Sequence, residues 1–162
     1  MAALLDTLLE QEKQLQFTQF TSVDALNLGL AMLKLAHARP DKKPVTIDIT
    51  RAGHQLFHFS MDGTGIDNDE WVKRKSRTVA RFGHSSYYMG QKLAKDGQTV
   101  EEKYYISERD YATHGGSFPL IIKNVGPVGS ITVSGLKQEE DHQMVVDAIT
   151  AFLESQPQAQ QA

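Results

Sequence analysis

The sequence predicts an α+β domain with an antiparallel sheet, and three observations lead there. Residues 44–61 and 118–134 each hold two segments of alternating apolar and polar residues around a turn, which is the pattern of a β-hairpin. Helical periodicity precedes the first hairpin, separates the two, and follows the second. Strands joined mainly as hairpins pair antiparallel, and helices then pack on the faces of their sheet. The chain has 162 residues, 40% hydrophobic and 23% charged, which suits one core and leaves little room for two. We expect one domain over residues 1–155 and a Gln- and Ala-rich tail at 156–162, where Pro157 ends the preceding helix.

The elements follow in order. Leu5, Leu8, Leu9, Glu12 and Leu15 fall near one helical face, so residues 2–14 read as an amphipathic helix. Residues 16–20 alternate polar and aromatic side chains and read as a short strand. Ser22 is placed to cap a helix that runs to Ala38 and stops before Pro40. Val23, Leu26, Leu28, Leu30, Met32, Leu33 and Leu35 cover most of its circumference. A helix apolar on most sides needs cover on more than one side, and in a short chain a second subunit is a natural source.

Val45, Ile47 and Ile49 alternate with Thr46, Asp48 and Thr50, and Phe57 and Phe59 alternate with Leu56 and His58. Ala52-Gly53 supplies the turn between them. Asp67 or Asn68 caps the next helix, which shows Trp71, Lys75, Thr78, Val79 and Phe82 on one face. Gly83 interrupts it, and a second piece covers residues 84–94. Thr99 and Glu102 have the spacing of a capping box for a short helix ending near Ile106. Residues 118–123 and 128–134 form the second hairpin, with Ser130, Thr132 and Ser134 on one face and Ile131 and Val133 on the other. A last helix starts near Gln138, with Glu139, Glu140 and Asp141 at its positive end.

Composition narrows the function. The net charge of −3 offers no electrostatic case for nucleic acid or an anionic membrane. With no cysteine there is no disulfide, thiolate metal site or thiol nucleophile. Residues 1–14 mix acids into their apolar pattern and do not read as a signal peptide, and no apolar run has the length of a membrane span. We expect a cytoplasmic protein. No GxSxG elbow, HExxH pair, GxGxxG fingerprint or phosphate loop occurs.

Several motifs occur in an informative order. Gly115-Gly116-Ser117-Phe118-Pro119-Leu120 leads into Val128-Gly129-Ser130-Ile131-Thr132-Val133-Ser134-Gly135 and then Asp141. Upstream lie Asp24-Ala25-Leu26, Leu28-Gly29, Trp71-Val72-Lys73-Arg74-Lys75, Val79 and Ser85-Ser86. Together these resemble the GlcG/HbpS-like haem-degrading family, in its uncharacterised branch, over residues 15–155. The resemblance implies a profilin-like fold, a five-stranded antiparallel sheet with helices packed on both faces. It implies a homo-oligomer, and haem or a related tetrapyrrole as ligand. Thr132 stands where the family strand usually has Gly, which puts a side chain on the polar face and is expected to alter a pocket there.

Candidate site residues then come into focus. His114 precedes two glycines, Gly115 and Gly116, that let backbone approach a ligand closely; the imidazole is the candidate axial ligand of a haem iron. The plain alternative is that both glycines serve a turn. Tyr111 is placed to ligate iron or stack on a porphyrin, or else to be a partly buried aromatic. Lys73, Arg74, Lys75, Arg77 and Arg81 form a basic cluster suited to carboxylates, haem propionates included, to phosphate, to acids such as Glu139, Glu140 and Asp141 on another subunit, or to water. Of these, Lys75 and Arg81 are taken as ligand-binding candidates; Lys75 shares an apolar face and is expected to reach outward. Trp71 is expected in the core. His54 and His58 share a strand face at a spacing too wide for one ion. The leading function is an oligomeric tetrapyrrole-binding protein. The alternative is a protein-interaction or assembly module built on the apolar helix 22–38, and an enzyme on another small metabolite has no motif behind it.

Overall fold

The structure, a computed structural model, describes residues 2–156. The tail expected beyond Gln156 lies outside the described residues. Six helices and four strands follow in order: α1 (Ala2–Gln14), α2 (Ser22–Ala38), β1 (Thr46–Arg51), β2 (His54–Ser60), α3 (Ile66–Phe82), α4 (Ser86–Asp96), α5 (Val100–Tyr104), β3 (Ser117–Ile122), β4 (Gly126–Ser134) and α6 (Gln138–Ser155).

The strands form one antiparallel sheet in the order β2-β1-β4-β3. Each hairpin expected from the alternation is present, and β1 joins them by pairing with β4, Ile47 opposite Val133 and Ile49 opposite Ile131. The sheet has four strands among the described residues, not five. Residues 16–20 make only one bridge, parallel, between Phe17 and Ile122. The reason is the spacing of the aromatics. Phe17 and Phe20, three residues apart, both turn into the core and meet edge-on at 4.9 Å, while Thr18 and Gln19 between them are exposed. A strand would send successive residues to opposite faces, and Thr21 then opens α2 before pairing can extend.

The two faces of the sheet differ in chemistry. Ile47, Ile49, Phe118, Leu120, Ile131 and Val133 meet α2 and α6 in the apolar core. Residues of the opposite parity, Thr46, Asp48, Ser117, Ser130, Thr132 and Ser134, are buried on the other face, which α3 crosses. Thr132 is one of them: its hydroxyl bonds that of Ser117 at 2.8 Å and ties β3 to β4.

Local signals set the helix ends with small shifts from expectation. Thr21 caps α2, one residue before Ser22: its hydroxyl accepts from the Asp24 N–H, and Asp24 returns the bond to the Thr21 N–H at 2.8 Å. Gly65 precedes α3, and Asn68 accepts its N–H at 3.0 Å, so Asn68 caps from inside the helix. Ser85 caps α4, which starts at Ser86 rather than near residue 84. Thr99 and Glu102 form the expected capping box of α5. In α2 the buried line is Ala25, Leu28, Gly29, Met32 and Ala36. Gly29 admits the Phe57 ring of β2, which a Cβ would meet at 2.5 Å. Val23, Leu26 and Leu30 are exposed.

Candidate functional site

Helix α3 brings most of the candidate chemistry together because it runs antiparallel to β4 over the polar face. Asn68 near its start reaches Ser134, and Gly83 past its end lies against Pro127. Asp67, Asn68, Trp71 and Lys75 recur at helical spacing and form one wall of a cleft of about 430 Å³. His114, Ser134 at the end of β4 with Gly135 and Leu136 after it, and Gln138 and Asp141 of α6 form the rest.

Lys75 does not reach outward. It is 3% exposed, and its ammonium donates to the Asp141 carboxylate at 3.0 Å and to the Val133 carbonyl at 3.2 Å. The expected acid partner of the basic helix is therefore in the same chain. The second Asp141 oxygen accepts the Leu136 N–H at 2.9 Å, which holds the carboxylate at the start of α6. Burial disfavours both charges. It pulls Lys75 down from its ordinary value against the opposing pull of Asp141, and it pushes the Asp141 carboxyl up to about 6. A buried acid and base displaced toward each other beside a cleft is a common mark of a functional site.

The Gly115-Gly116 pair is explained by this ion pair. A Cβ on Gly116, whose φ is +136°, would lie 2.7 Å from Lys75 Nζ and 2.4 Å from the Val133 carbonyl. A Cβ on Gly115 would lie 2.3 Å from the Gln138 carbonyl. The glycines let the loop close onto α6 and the buried pair.

His114 sits on the Trp71 indole with ring centroids 5.3 Å apart and planes 20° from parallel. Trp71 is half-buried in the cleft wall rather than enclosed in the core. Burial of one side of the imidazole, and then the Lys75 and Arg74 charges, lower the His114 pKa against the pull of Glu108. These effects favour the neutral ring, the form that keeps a lone pair for a metal or a hydrogen bond.

Arg74, Arg77 and Arg81 of the basic cluster contact the loop that carries His114, while Lys73 pairs with Glu70. Arg74 donates to the Glu108 carbonyl at 2.9 Å and stacks on Trp71 at 4.4 Å. Arg77 donates to the Asp110 carbonyl at 2.7 Å, and Thr78 to that of Ala112 at 2.8 Å. Arg81 lies over the Tyr111 ring at 5.5 Å. His114 and Lys75 thus share the cleft, whereas Tyr111 and Arg81 pair with each other outside its lining. The sequence marks Asn68, Ser134 and Gln138 only as cap, strand and helix-start residues, not as site residues; the 68–71–75 spacing on α3 is the signal that points to Asn68.

His54 and His58 do not converge. His54 faces Arg51 across the hairpin, while His58 lies between Asp48 at 3.0 Å and Asp69 at 3.4 Å. Among the described residues no three His, Asp or Glu are grouped to hold a metal ion.

The sequence profile of the family described as "Haem degrading protein HbpS-like" matches residues 20–150. The chain belongs to this HbpS-like family. A UPF0303 protein of Streptomyces coelicolor is 48% identical over 144 residues, 89% of this chain and 90% of its own. Among solved structures, the Ybr137w protein superposes with a TM-score of 0.85 at 41% identity, covering 91% of this chain and 86% of that one. A PduOC:Heme complex shares the fold at 19% identity, with a TM-score of 0.67 over 82% of this chain and 94% of that one.

Proposed function

We propose that this HbpS-like protein is an oligomeric binder of haem or a related tetrapyrrole, with the Trp71–His114 cleft as its site. One observation carries the reading: an exposed imidazole is held flat against an indole at the rim of a cleft. Neutral imidazole is a usual ligand of haem iron, and the indole stacked on the His114 ring fixes the direction in which that ring presents its nitrogen. The family description and the PduOC:Heme relative add support. The donor set fits an iron porphyrin through one axial bond. His114 would hold the iron, and among the described residues no second His, Tyr or Met lines the cleft. Lys75 and Asp141 would set the charge beneath the ligand. Gly115, Gly116, Tyr111 and Arg81 act as positioning residues, because they fix the loop that presents His114.

A hemin titration followed by visible absorption tests this. The expected result is a saturable Soret shift, one equivalent per site, with the spectrum of iron bound through a single imidazole. His114→Ala should remove that spectrum at unchanged thermal stability. Non-saturating absorption that matches an unrelated protein of similar size would rule haem out as the ligand.

A second reading, an assembly module, rests on Val23, Leu26 and Leu30, which are 64%, 48% and 50% exposed in one stripe of α2. We propose that a second copy of the chain covers this stripe. Because Leu30 is on the surface, Leu30→Glu should leave the subunit folded and lower the mass seen by sedimentation. An assembly of unchanged mass would place the subunit contact elsewhere.

A further inference from the structure

A second cleft, of about 630 Å³, opens at the other end of α3, between that helix and the turn of the first hairpin. We propose that it binds a small organic anion: an acidic head, carboxylate or phosphate monoester, on a short apolar body.

The charge argument comes first. Lys73 and Arg77, one helical turn apart, both line the cleft, and among the described residues no acidic one lines it. Like charges at this spacing repel, so the pair favours a counter-ion between them. Neither cation is neutralised within the cleft. Lys73 makes only a surface contact with Glu70 at 3.2 Å, with both side chains more than half exposed. Arg77 has one N–H on the Asp110 carbonyl, which fixes its direction and leaves the other donors of the guanidinium for a ligand.

The floor supplies a further donor. Ser130 is 4% exposed and lines the cleft, and its hydroxyl is not one of the fully enclosed polar atoms left unpaired among the described residues. It is open to the cleft, and an anionic oxygen between Lys73 and Arg77 would accept from it. Thr50 beside it is already committed to Asp48 at 2.9 Å. Val79, Pro127 and Val128 give the remaining wall an apolar character. A cleft of this volume with few polar groups at one end is of the kind that holds a small molecule by its body and orients it by its head. This site shares no lining residue with the Trp71–His114 cleft.

Saturation-transfer NMR with hexanoate, hexyl phosphate and hexanol tests the proposal on the intact chain. Hexanoate or hexyl phosphate should bind saturably, the better of the two identifying the head, and hexanol should bind at least about tenfold more weakly. Lys73→Glu, an exposed position, should weaken binding of that anion about tenfold while Lys73→Arg retains it. Ser130→Ala should weaken it several-fold with an unchanged melting temperature. Absence of saturable binding by either anion, equal binding of hexanol, or binding indifferent to both Lys73→Glu and Ser130→Ala would each overturn the assignment.

Discussion

Lys75 and Asp141 show how burial turns a routine ion pair into a sensitive one. Each is nearly inaccessible, each is displaced toward its neutral form by burial, and each is the other's chief compensation. Removing one partner leaves an uncompensated charge in a dry site, so Lys75→Met or Asp141→Leu should cost about 3–5 kcal/mol. Replacing both with apolar side chains removes that penalty, so Lys75→Met/Asp141→Leu should lie within about 2 kcal/mol of the parent, or above it. Urea denaturation of the three variants measures the coupling directly. Additive losses would show that the two side chains act independently. The same logic gives Gly116 its constraint: any side chain there would press on the ammonium that the pair holds in place.

At the scale of elements, polar contacts decide which helices move with the core. Helix α1 is joined to α4 through Glu12, a buried carboxylate that accepts from His84 at 2.7 Å and from the Ser85 N–H at 3.0 Å. That hydrogen bond raises the His84 pKa. The Ser85 N–H belongs to the cap of α4, where a donor left without an acceptor is costly. Glu12→Ala should therefore destabilise the protein by about 1–3 kcal/mol, and hydrogen exchange should speed up in α1 and the first turn of α4 before the sheet. Uniform acceleration across all elements would show that α1 unfolds only with the whole protein. Helix α3 works by a different rule. Its Arg74, Arg77 and Thr78 bind carbonyls of the 108–112 loop, so one helix positions both its own cleft residues and His114.

For the whole molecule, two buried groups titrate against each other in mild acid. His142 is 2% exposed between the Tyr87 and Phe118 rings, and its Nε2 donates to Gln11 at 2.7 Å while Nδ1 lacks a protein partner among the described residues. Burial lowers its pKa to about 4. Below its ordinary value of 6.5 the unfolded chain binds this proton and the folded one resists it, so stability falls as pH drops from 6.5 toward 4. Asp141 has the opposite sign. Its raised value means that the folded state takes up a proton first, so stability rises as pH drops from about 6 toward 3.8. The parent should thus change little over this range. His142→Phe removes the first effect and leaves the second, so its stability at about pH 4.5 relative to about pH 7 should exceed the parent's by about 2 kcal/mol. Parallel urea curves for both proteins at the two pH values would show instead that His142 does not govern the acid limb.

Both hairpins, the order of helices and the α5 capping box were legible in the linear pattern, because alternation, helical spacing and caps depend on neighbours a few residues apart. The family motifs around Gly115-Gly116 and Asp141 were legible for the same reason. Residues 16–20 misled, since the inward turn of both aromatics depends on core space that residues far away define. The fate of the basic cluster was equally hidden. Five cations on one helix look alike in sequence, yet the helix's position over β4 sends Lys75 to Asp141, Arg74 and Arg77 to a loop, and Arg81 to Tyr111, and leaves Lys73 at the surface beside Glu70. The sequence by itself determined the α+β class, the hairpins and the residue types available for chemistry, through short-range periodicity and turn chemistry. Only the tertiary structure decided which of those residues share a cleft and which charges lose their water, because contact and burial are set by elements brought together from opposite ends of the chain.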